Sequence, residues 1–471
     1  MAIQWSGLGP ELLLRLDRGS GQPLRSQLEA GLREAIRSGR LPGGERLPSS
    51  RELARELGVS RGLVQEVYAQ LLSEGYLTSQ VGSATRVAAG AYQATAEPVQ
   101  HAEPPPRLIA DFRSGVPDLA SFPRGDWVWA TREACGSVAT LDLDYGDPRG
   151  SAVLRGVLAG YLRRVRAAAA DPGQLIVSTG FAQGIILVLR ALALAGVRCA
   201  AFEDPGYGGA DTSETVQAAG AMGLRTVHVP VDDLGVDVQA VERSGAQVVV
   251  VTPAHQSPTG VVLAAGRRHA LVEWANRTGG FIVEDDYDSE FRYDREPVGV
   301  LQGLAPGRVF TIGTASKALA PGVRLGWVLA PPALAAAVAE EKRISDRGSS
   351  TLDQLVLAAL LESGRYDRHL RRMRAVYAGR RARLIDSLAR HAPGVRLTGL
   401  AAGFHAVAHL PAAADERAVV AGARQRRVGL HGMGQFRAAG PAGPPQLVLG
   451  FGQVGERAIE PGIAAVAGLL N

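Results

Sequence analysis

Lysine is nearly absent from this sequence, and one of its two lysines stands in a segment that could do chemistry. Of the 51 basic residues, only Lys317 and Lys342 are lysines. Arginine stays protonated, whereas a lysine amine can lose its proton and form a Schiff base, so the chain indicates that an amine is required at Lys317. Taken alone, Lys317 could still be an ordinary lysine of a surface turn. We expect that ordinary role for Lys342, in the charged helical run VAEEKRIS.

The residues around Lys317 favour an aldehyde cofactor that carries a phosphate. In TIGTASKALAPGVRLGW, Thr314 and Ser316 place hydroxyls beside the amine at the end of an apolar strand, and Arg324 follows across a Pro-Gly turn. An arginine is a suitable clamp for a phosphate, and an amine condenses with an aldehyde. Because pyridoxal phosphate has both groups, we predict that it is the cofactor.

An acidic segment supplies the anion that holds a pyridoxal ring nitrogen protonated. In EDDYDSEFRY, Asp285 is the predicted partner of this nitrogen, and Tyr287, on the same side of an extended chain, could reach the ring oxygen. The run of carboxylates could instead bind a metal ion. No histidine or spaced ligand set accompanies it, and Cys135 and Cys199 make neither a metal site nor a disulfide framework, so we predict no metal.

Two further segments could cradle the phosphate and cover the ring. In STGFAQG, the backbone amides of Gly180, Phe181 and Ala182 can point at a phosphate from the start of a helix. In EDPGYGGA, Tyr207 lies on a turn and is suited to stacking on the pyridine ring. Each segment alone is typical of an ordinary turn, but together they favour a cofactor site.

The elements that must position these side chains are those of an α/β sheet. Apolar runs that read as strands buried on both faces alternate with helical stretches. These runs are LIVSTG (175–180), AQVVVVTP (246–253), GFIVEDD (280–286) and RVFTIG (308–313). In such sheets ligands bind at the carboxyl ends of the strands, which is where the polar motifs lie.

Length and composition indicate a multidomain chain. Its 471 residues are 46% hydrophobic and 21% charged, without an apolar run long enough to span a bilayer. The start, MAIQWSGLGPELLLRLDRGS, lacks the pattern of a signal peptide, so we expect a cytoplasmic protein. A Pro- and Ala-rich segment predicts a linker at 89–108, between domains at 1–88 and 109–471.

The amino-terminal domain contains the pattern of a helix-turn-helix. In LPSSRELARELGVSRGLVQEVYAQLLSEGYL, Gly58 ends one helix and Ser60 can cap the next, whose exposed start presents Arg61 and Gln65 to a DNA major groove. Two β-rich pieces flank Gly82 and predict a wing. The alternative is a small helical docking module with solvated arginines, but the flanking motif and the wing favour DNA binding.

With the segment before it, this stretch resembles the winged helix-turn-helix of GntR-type transcription factors. The resemblance runs from PLRSQLEAGLREAIRSGRLPGGE to SEGYL and implies that Arg51, Ser60 and Arg61 contact double-stranded operator DNA, with the Gly82 wing alongside. The chain departs from the family pattern at Gly62 and in GSATR of the wing, so it implies no particular operator sequence.

The rest of the chain, from about residue 110, resembles fold-type I aminotransferases and, more closely, the MocR-type subfamily of GntR regulators. The segments FRSGVPDLASFP, YGDPRGSAVLR, VTPAHQSPTG and EDDYDSEFRYDREPVGVLQGL carry this resemblance. It implies that Lys317 is the Schiff-base lysine, while Thr314, Ser316 and Arg324 hold phosphate. It also implies that Tyr145, in YGDPRG, reaches the phosphate of a neighbouring subunit, and therefore a head-to-tail homodimer.

Two arginines that grip a substrate carboxylate in such proteins have no counterpart at the matching positions. Gly209 stands two residues after Tyr207, and Val448 stands before the last strand's phenylalanine. Either another arginine, such as Arg437, substitutes, or no amino acid is bound. We therefore expect a transcriptional regulator without turnover whose effector is pyridoxal phosphate itself, as in relatives that control vitamin B6 synthesis.

Three alternatives stay open. The regulator could sense an amino compound through an external aldimine with pyridoxal phosphate. The chain could be an active aminotransferase with an accessory DNA-binding domain. It could also be a DNA-binding scaffold with an inert aminotransferase fold, in which case Lys317 would be idle.

Overall fold

The chain has two compact units, Met1–Pro105 and Pro106–Asn471, each with its own hydrophobic core. The computed structural model describes residues 16–79, 85–89, 108–207, 213–293, 298–438 and 443–470. The division falls inside the segment that the sequence predicts to be a linker. The linker's bounds stay a prediction.

The first unit is built from three helices and a strand pair. Its elements are α1 (Leu24–Arg37), α2 (Ser50–Leu57), α3 (Arg61–Ser73), β1 (Leu77–Thr78) and β2 (Arg86–Val87). A capping box starts α2, because the Ser49 hydroxyl accepts from the Glu52 amide while the Glu52 carboxylate accepts from the Ser49 amide. Gly58 ends α2 at a φ of 62°, and the Ser60 hydroxyl caps α3 by accepting from the Leu63 amide. These contacts confirm the predicted helix-turn-helix.

The two helices of this motif pack through apolar side chains. Leu53 of α2 and Val64, Val67 and Leu71 of α3 are buried in one core. Strands β1 and β2 pair antiparallel, as the flanks of a wing should. Gly82, the predicted centre of the wing, lies outside the described residues.

The second unit is a three-layer α/β structure with a smaller antiparallel sheet. Its strands are β3 (Ala110–Asp111), β4 (Leu175–Ser178), β5 (Cys199–Asp204), β6 (Arg225–Asp232), β7 (Gly235–Val236), β8 (Val248–Val251), β9 (Phe281–Asp286), β10 (Val309–Thr314), β11 (Gly326–Leu329), β12 (Arg396–Thr398), β13 (His405–His409), β14 (Val428–Gly429) and β15 (Gln446–Gly450). Its helices are α4 (Arg124–Ser137), α5 (Ala152–Arg166), α6 (Phe181–Leu194), α7 (Glu214–Ala221), α8 (Val238–Arg243), α9 (Ala265–Thr278), α10 (Ala335–Asp346), α11 (Thr351–Glu362), α12 (Arg365–His391), α13 (Glu416–Gln425) and α14 (Glu456–Leu470).

The main sheet, as far as the described residues show it, has eight strands in the order β4-β11-β10-β9-β8-β5-β6-β7. Strands β10, β9, β8, β5 and β6 run parallel, while β11 is antiparallel to both of its neighbours. Every residue of β4 and β10 is buried, because helices cover both faces of the sheet. The carboxyl ends of β9 and β10 therefore lie at one edge of the sheet, where Asp285 lies near the end of β9 and Lys317 follows β10.

The smaller sheet has the antiparallel order β12-β13-β15. A short parallel pair joins β3 to β14. Among the helices of the described ranges, none has the length and apolar composition needed to cross a lipid bilayer.

Candidate functional site

A cavity of about 260 Å³ opens at the carboxyl edge of the main sheet. Most of the side chains that the sequence assigns to a cofactor lie on its wall. The described residues that line it are Gly115, Phe181, Ala182, Ile185, Ile186, Tyr207, Glu214, Thr215, Ser257, Asp285, Tyr287, Thr314, Ser316, Lys317, Pro321 and Arg324. Segments separated by more than 200 residues in the sequence thus meet around one space.

Within the described residues, the amine of Lys317 is held at this wall by one hydrogen bond. Its Nζ donates to the carbonyl oxygen of Gly115 over 2.6 Å. Burial lowers the pKa of the amine below its ordinary value of 10.5, against the opposing charge of Asp285. More of the amine is therefore unprotonated near neutral pH than in a free lysine, which is the form that attacks an aldehyde.

The turn before α6 and the guanidinium of Arg324 face each other at one end of the cavity. Gly180 has a φ of 105°, and a Cβ there would lie 3.5 Å from Nη1 of Arg324. Phe181 and Ala182 begin α6, so their amides have no partner within the helix. Helix-start amides beside an arginine suit a phosphate. Thr314 and Ser316, whose hydroxyl oxygens lie 2.9 Å apart, complete this end of the wall.

Two neighbouring carboxylates of EDDYDSEFRY have different environments: Asp285 lines the cavity, and Asp286 is paired with an arginine. Oδ1 of Asp285 is buried and has no hydrogen-bond partner among the described residues. Burial raises the pKa of Asp285 well above its ordinary value, although the charge of Lys317 opposes the shift. Asp286, on the other face of β9, makes a buried two-point ion pair with Arg166, at 2.6 and 2.9 Å. A protonated pyridine nitrogen would satisfy Asp285, so the wall fits pyridoxal phosphate at this end as well.

The prediction that no histidine accompanies these carboxylates is wrong. His255 Nδ1 lies 2.8 Å from Asp288 Oδ2, and the rings of His255 and His405 are 4.4 Å apart. Ligand-type atoms of these three buried residues lie within 4.8 Å of one another. The hydroxyl of Tyr287 donates to the His255 carbonyl over 2.9 Å and is 3.2 Å from its Nδ1. His255, which does not line the cavity itself, thus fixes the hydroxyl of the lining residue Tyr287.

His255 and His405 differ in how far the sequence signals their positions. His255 follows β8 in VTPAHQSPTG, so its place after a strand was a usable signal. His405 starts β13, a strand of the smaller sheet, and nothing local indicates that this strand approaches the cavity.

The aromatic residues predicted for the site take different positions. Tyr207 lines the cavity, and its ring meets Phe181 edge-to-face at 6.4 Å. Tyr145 does not line it: its side chain is 73% exposed, and the guanidinium of Arg347 lies 5.2 Å from its ring centre. Gly209, the first position without a carboxylate-binding arginine, lies outside the described residues.

Val448, the second position without a carboxylate-binding arginine, has apolar surroundings. Val448 of β15 is buried in a cluster with Val407 and Met433. Arg437 donates to Pro444 and Gln446 and does not line the cavity. Of the described side chains that line the cavity, Lys317 and Arg324 are the only cationic ones.

Lys342 is not the surface lysine that its charged helical run suggests. It lies on the buried side of α10, fully shielded from solvent, and its ammonium donates three hydrogen bonds. The prediction failed because neighbouring charges in a sequence do not fix which face of a helix each occupies.

In the first unit, Arg51, Arg61 and Gln65 are exposed at the start of α2 and on α3. Ser60 uses its hydroxyl oxygen to cap α3. These are the side chains that the sequence predicts to contact DNA, and that contact stays a prediction.

Comparison with known proteins matches both units. Residues 24–87 match the family of bacterial regulatory proteins called gntR, and residues 115–433 match aminotransferase class I and II. The HTH-type pyridoxine biosynthesis transcriptional regulator PdxR of Corynebacterium glutamicum is 35% identical over 84% of this chain and 85% of its own. The probable rhizopine catabolism regulatory protein MocR of Rhizobium meliloti is 34% identical over 96% and 94%. The crystal structure of Pyrococcus horikoshii kynurenine aminotransferase superimposes with a TM-score of 0.69 and 25% identity, covering 78% of this chain and 91% of its own.

The fold and these matches define a class of transcriptional regulator that joins a helix-turn-helix domain to a domain of the fold-type I aminotransferase class. The gntR domain implies binding to DNA. Within that class, the chain belongs to the MocR-type subfamily of GntR regulators.

Proposed function

We propose that this regulator binds pyridoxal phosphate and that the cofactor itself is the effector. One observation carries the proposal. Among the described side chains of the cavity wall, Lys317 and Arg324 are the only cations, and they suit the aldehyde and the phosphate of that cofactor. No third cation lines the wall within the described residues to grip the carboxylate of an amino acid.

Each side chain of the wall has a defined task in this proposal. When bound, pyridoxal phosphate supplies an aldehyde and an electron-withdrawing ring. Lys317, oriented by the Gly115 carbonyl, presents its amine, and the buried carboxylate of Asp285 holds a proton on the ring nitrogen. Tyr287, which lines the cavity, would contact the ring oxygen by turning its hydroxyl proton away from the His255 carbonyl, and Tyr207 would cover the ring face.

The phosphate end has tasks of its own. The amides of Gly180, Phe181 and Ala182 and the guanidinium of Arg324 bind the phosphate oxygens, with help from the hydroxyls of Thr314 and Ser316. The Thr314 hydroxyl donates a hydrogen bond to the Ser316 hydroxyl over 2.9 Å.

The genes under control are, in this proposal, those of vitamin B6 synthesis. The support is the similarity to a relative named for regulation of pyridoxine biosynthesis, together with the apolar cluster around Val448. A regulator that measures pyridoxal phosphate needs a cofactor site and no clamp for a substrate carboxylate.

The regulator acts as a head-to-tail homodimer in this account. Tyr145 is exposed, as a residue that reaches the phosphate of a second subunit would be in the free chain, and Leu141 and Leu143, which shortly precede it in the sequence, are exposed too. Filling the site shifts the dimer between two arrangements and thereby moves the DNA-binding domains, whose Arg51, Arg61 and Gln65 contact the operator.

A footprint of the purified protein on the DNA upstream of its own gene tests the proposal. Protection that changes with pyridoxal phosphate in the wild type, but not in Lys317→Ala, is the expected result. Specific protection that changes neither with pyridoxal phosphate nor with Lys317→Ala would favour an amino compound as the effector. An operator found only beside unrelated catabolic genes would contradict control of vitamin B6 synthesis.

A second candidate is a sensor of an amino compound that binds together with pyridoxal phosphate. Similarity to the relative named for rhizopine catabolism favours it. An aminotransferase activity is tested in the same preparation, by multiple turnover of an amino donor with a keto acid. We expect no sustained turnover, because the described wall offers no clamp for the donor carboxylate.

A further inference from the structure

The second lysine of the chain is buried at the centre of a polar cluster next to the start of α6, and the outer member of this cluster, Asp346, is partly exposed. Nζ of Lys342 donates to Asp346 Oδ2 over 2.7 Å, to Gln183 Oε1 over 2.9 Å and to Ser349 Oγ over 2.9 Å. An ammonium has three protons to donate, so these three acceptors satisfy it completely. The lysine therefore holds α10, the turn after it and α6 at fixed distances.

Gln183 connects this cluster to the turn that faces Arg324. It is the third residue of α6, and its Oε1 also accepts from the backbone amide of Thr179 over 2.9 Å. Its Nε2 donates to Asp346 Oδ2 over 2.6 Å. Because Thr179 and Gln183 flank Gly180, one side chain spans the turn and ties it to Lys342.

This turn needs outside support. Gly180 adopts a φ of 105° and a ψ of −177°, a region that only glycine enters readily. Such a residue keeps an uncommon conformation when its surroundings define it. The direction of the amides of Gly180, Phe181 and Ala182 depends on that conformation.

We propose that Lys342 and Gln183 are positioning residues for a phosphate group at the start of α6. They touch no ligand themselves: they fix the turn so that the helix-start amides and Arg324 converge on one point. This inference rests on the proposed binding of pyridoxal phosphate. It accounts for a lysine in a chain that otherwise uses arginine, because a compact ammonium with three donors fits where a planar guanidinium would not.

Comparing a ligand that has the phosphate with one that lacks it distinguishes a positioning role of Lys342 and Gln183 from a general contribution to protein stability. Pyridoxal has the aldehyde and ring of pyridoxal phosphate without the phosphate. We therefore measure the dissociation constants of both compounds from the absorbance of the bound ligand, for the full-length wild type, Gln183→Ala and Lys342→Met. Arg343→Ala is the matched control, since Arg343 is the neighbour of Lys342 on α10 and makes an exposed pair with Glu340.

We expect Gln183→Ala and Lys342→Met to weaken pyridoxal phosphate at least about 10-fold, equivalent to about 1.4 kcal/mol, and to change pyridoxal less than about twofold. Arg343→Ala should change neither. If Lys342→Met does not fold, Gln183→Ala decides the matter, because it keeps the pair of Lys342 with Asp346. If Gln183→Ala weakens the binding of both compounds equally, or weakens the binding of neither, the positioning role is refuted, but the proposed binding of pyridoxal phosphate is not. A wild type that binds neither compound refutes the proposed function itself.

Discussion

Lys317 and Gly115 are 202 positions apart in the sequence, yet the lysine amine donates a 2.6 Å hydrogen bond to the glycine carbonyl. Gly115 lies in the first segment of the second unit, and Lys317 follows β10 in the middle of the sheet. The contact fixes where the amine points and leaves its lone pair for chemistry once the proton is lost. The orientation of the amine therefore depends on the correct packing of the first segment of the second unit against the sheet.

Replacing Lys317 should abolish covalent attachment of pyridoxal phosphate. After borohydride reduction, the wild type is expected to carry one phosphopyridoxyl group per chain, with the mass of the cofactor less one water and plus two hydrogens, while Lys317→Ala and Lys317→Arg carry none. Lys317→Arg is the informative control, because it keeps the positive charge but cannot condense with an aldehyde. Attachment to Lys317→Arg would mean that another amine is the reactive group.

The rate of this attachment should depend on pH through the same amine. Burial holds the pKa of Lys317 below 10.5, so the reactive fraction grows as pH rises toward that lowered pKa and then levels off. Stopped-flow absorbance between pH 6 and 10 measures the profile. A rate that rises with undiminished slope up to pH 10, as expected for a free lysine with a pKa of 10.5, would contradict the lowered pKa.

Replacing Asp285 by asparagine should affect cofactor binding, whereas the same replacement at Asp286 should affect protein stability. Asp285→Asn should weaken pyridoxal phosphate about 10-fold or more without loss of apoprotein stability, because the buried Asp285 oxygen has no described partner. Asp286→Asn should lower the free energy of unfolding by about 3 to 5 kcal/mol, since it breaks a buried ion pair with Arg166. Cofactor titration and urea denaturation of both variants separate the effects. Reversed effects would show that the assignment of the two faces of β9 is wrong.

Glu203 should make stability fall as pH rises. Burial raises its pKa from 4.5 to about 7, against hydrogen bonds from Thr252 and Gln256. A carboxyl whose folded pKa is raised favours folding below its unfolded pKa, and this contribution is lost as pH climbs from 4.5 to 7. Relative to Glu203→Gln, the wild type should lose about 3 kcal/mol between pH 4 and pH 8. Urea titrations at the two pH values measure it, and parallel behaviour of the two proteins would contradict the raised pKa.

Arg61 should contribute to operator affinity, and paired arginines of the same unit should not. Arg61→Ala is expected to cost about 1 to 3 kcal/mol of binding if it reads a base, or to reduce the salt dependence by about one ion if it contacts a phosphate. Arg25→Ala is the control, because Arg25 of α1 pairs with Glu29 and Glu66. Fluorescence anisotropy at several salt concentrations distinguishes these results. Equal losses in both variants would indicate a general charge effect.

The sequence signals for the residues that line the cavity are local, so their meeting at one edge of the sheet could be predicted. Asp285 and Lys317 each follow an apolar run, and parallel strands bring such ends to one edge of a sheet. Lys342 and His405 could not be placed in the same way. The burial of Lys342 depends on which face of α10 packs against α6, and the approach of His405 depends on how the smaller sheet meets the main one. Both are properties of packing between elements distant in the chain.

If pyridoxal phosphate is the effector, filling its site changes the binding of the regulator to DNA. This coupling can be measured in one titration of the wild type with pyridoxal phosphate, in which cofactor absorbance and the anisotropy of labelled operator DNA are recorded in the same cuvette. We expect two curves with the same midpoint in the wild type and a flat anisotropy curve in Lys317→Ala. An absorbance curve that saturates while the anisotropy of the wild type stays constant would contradict the claim.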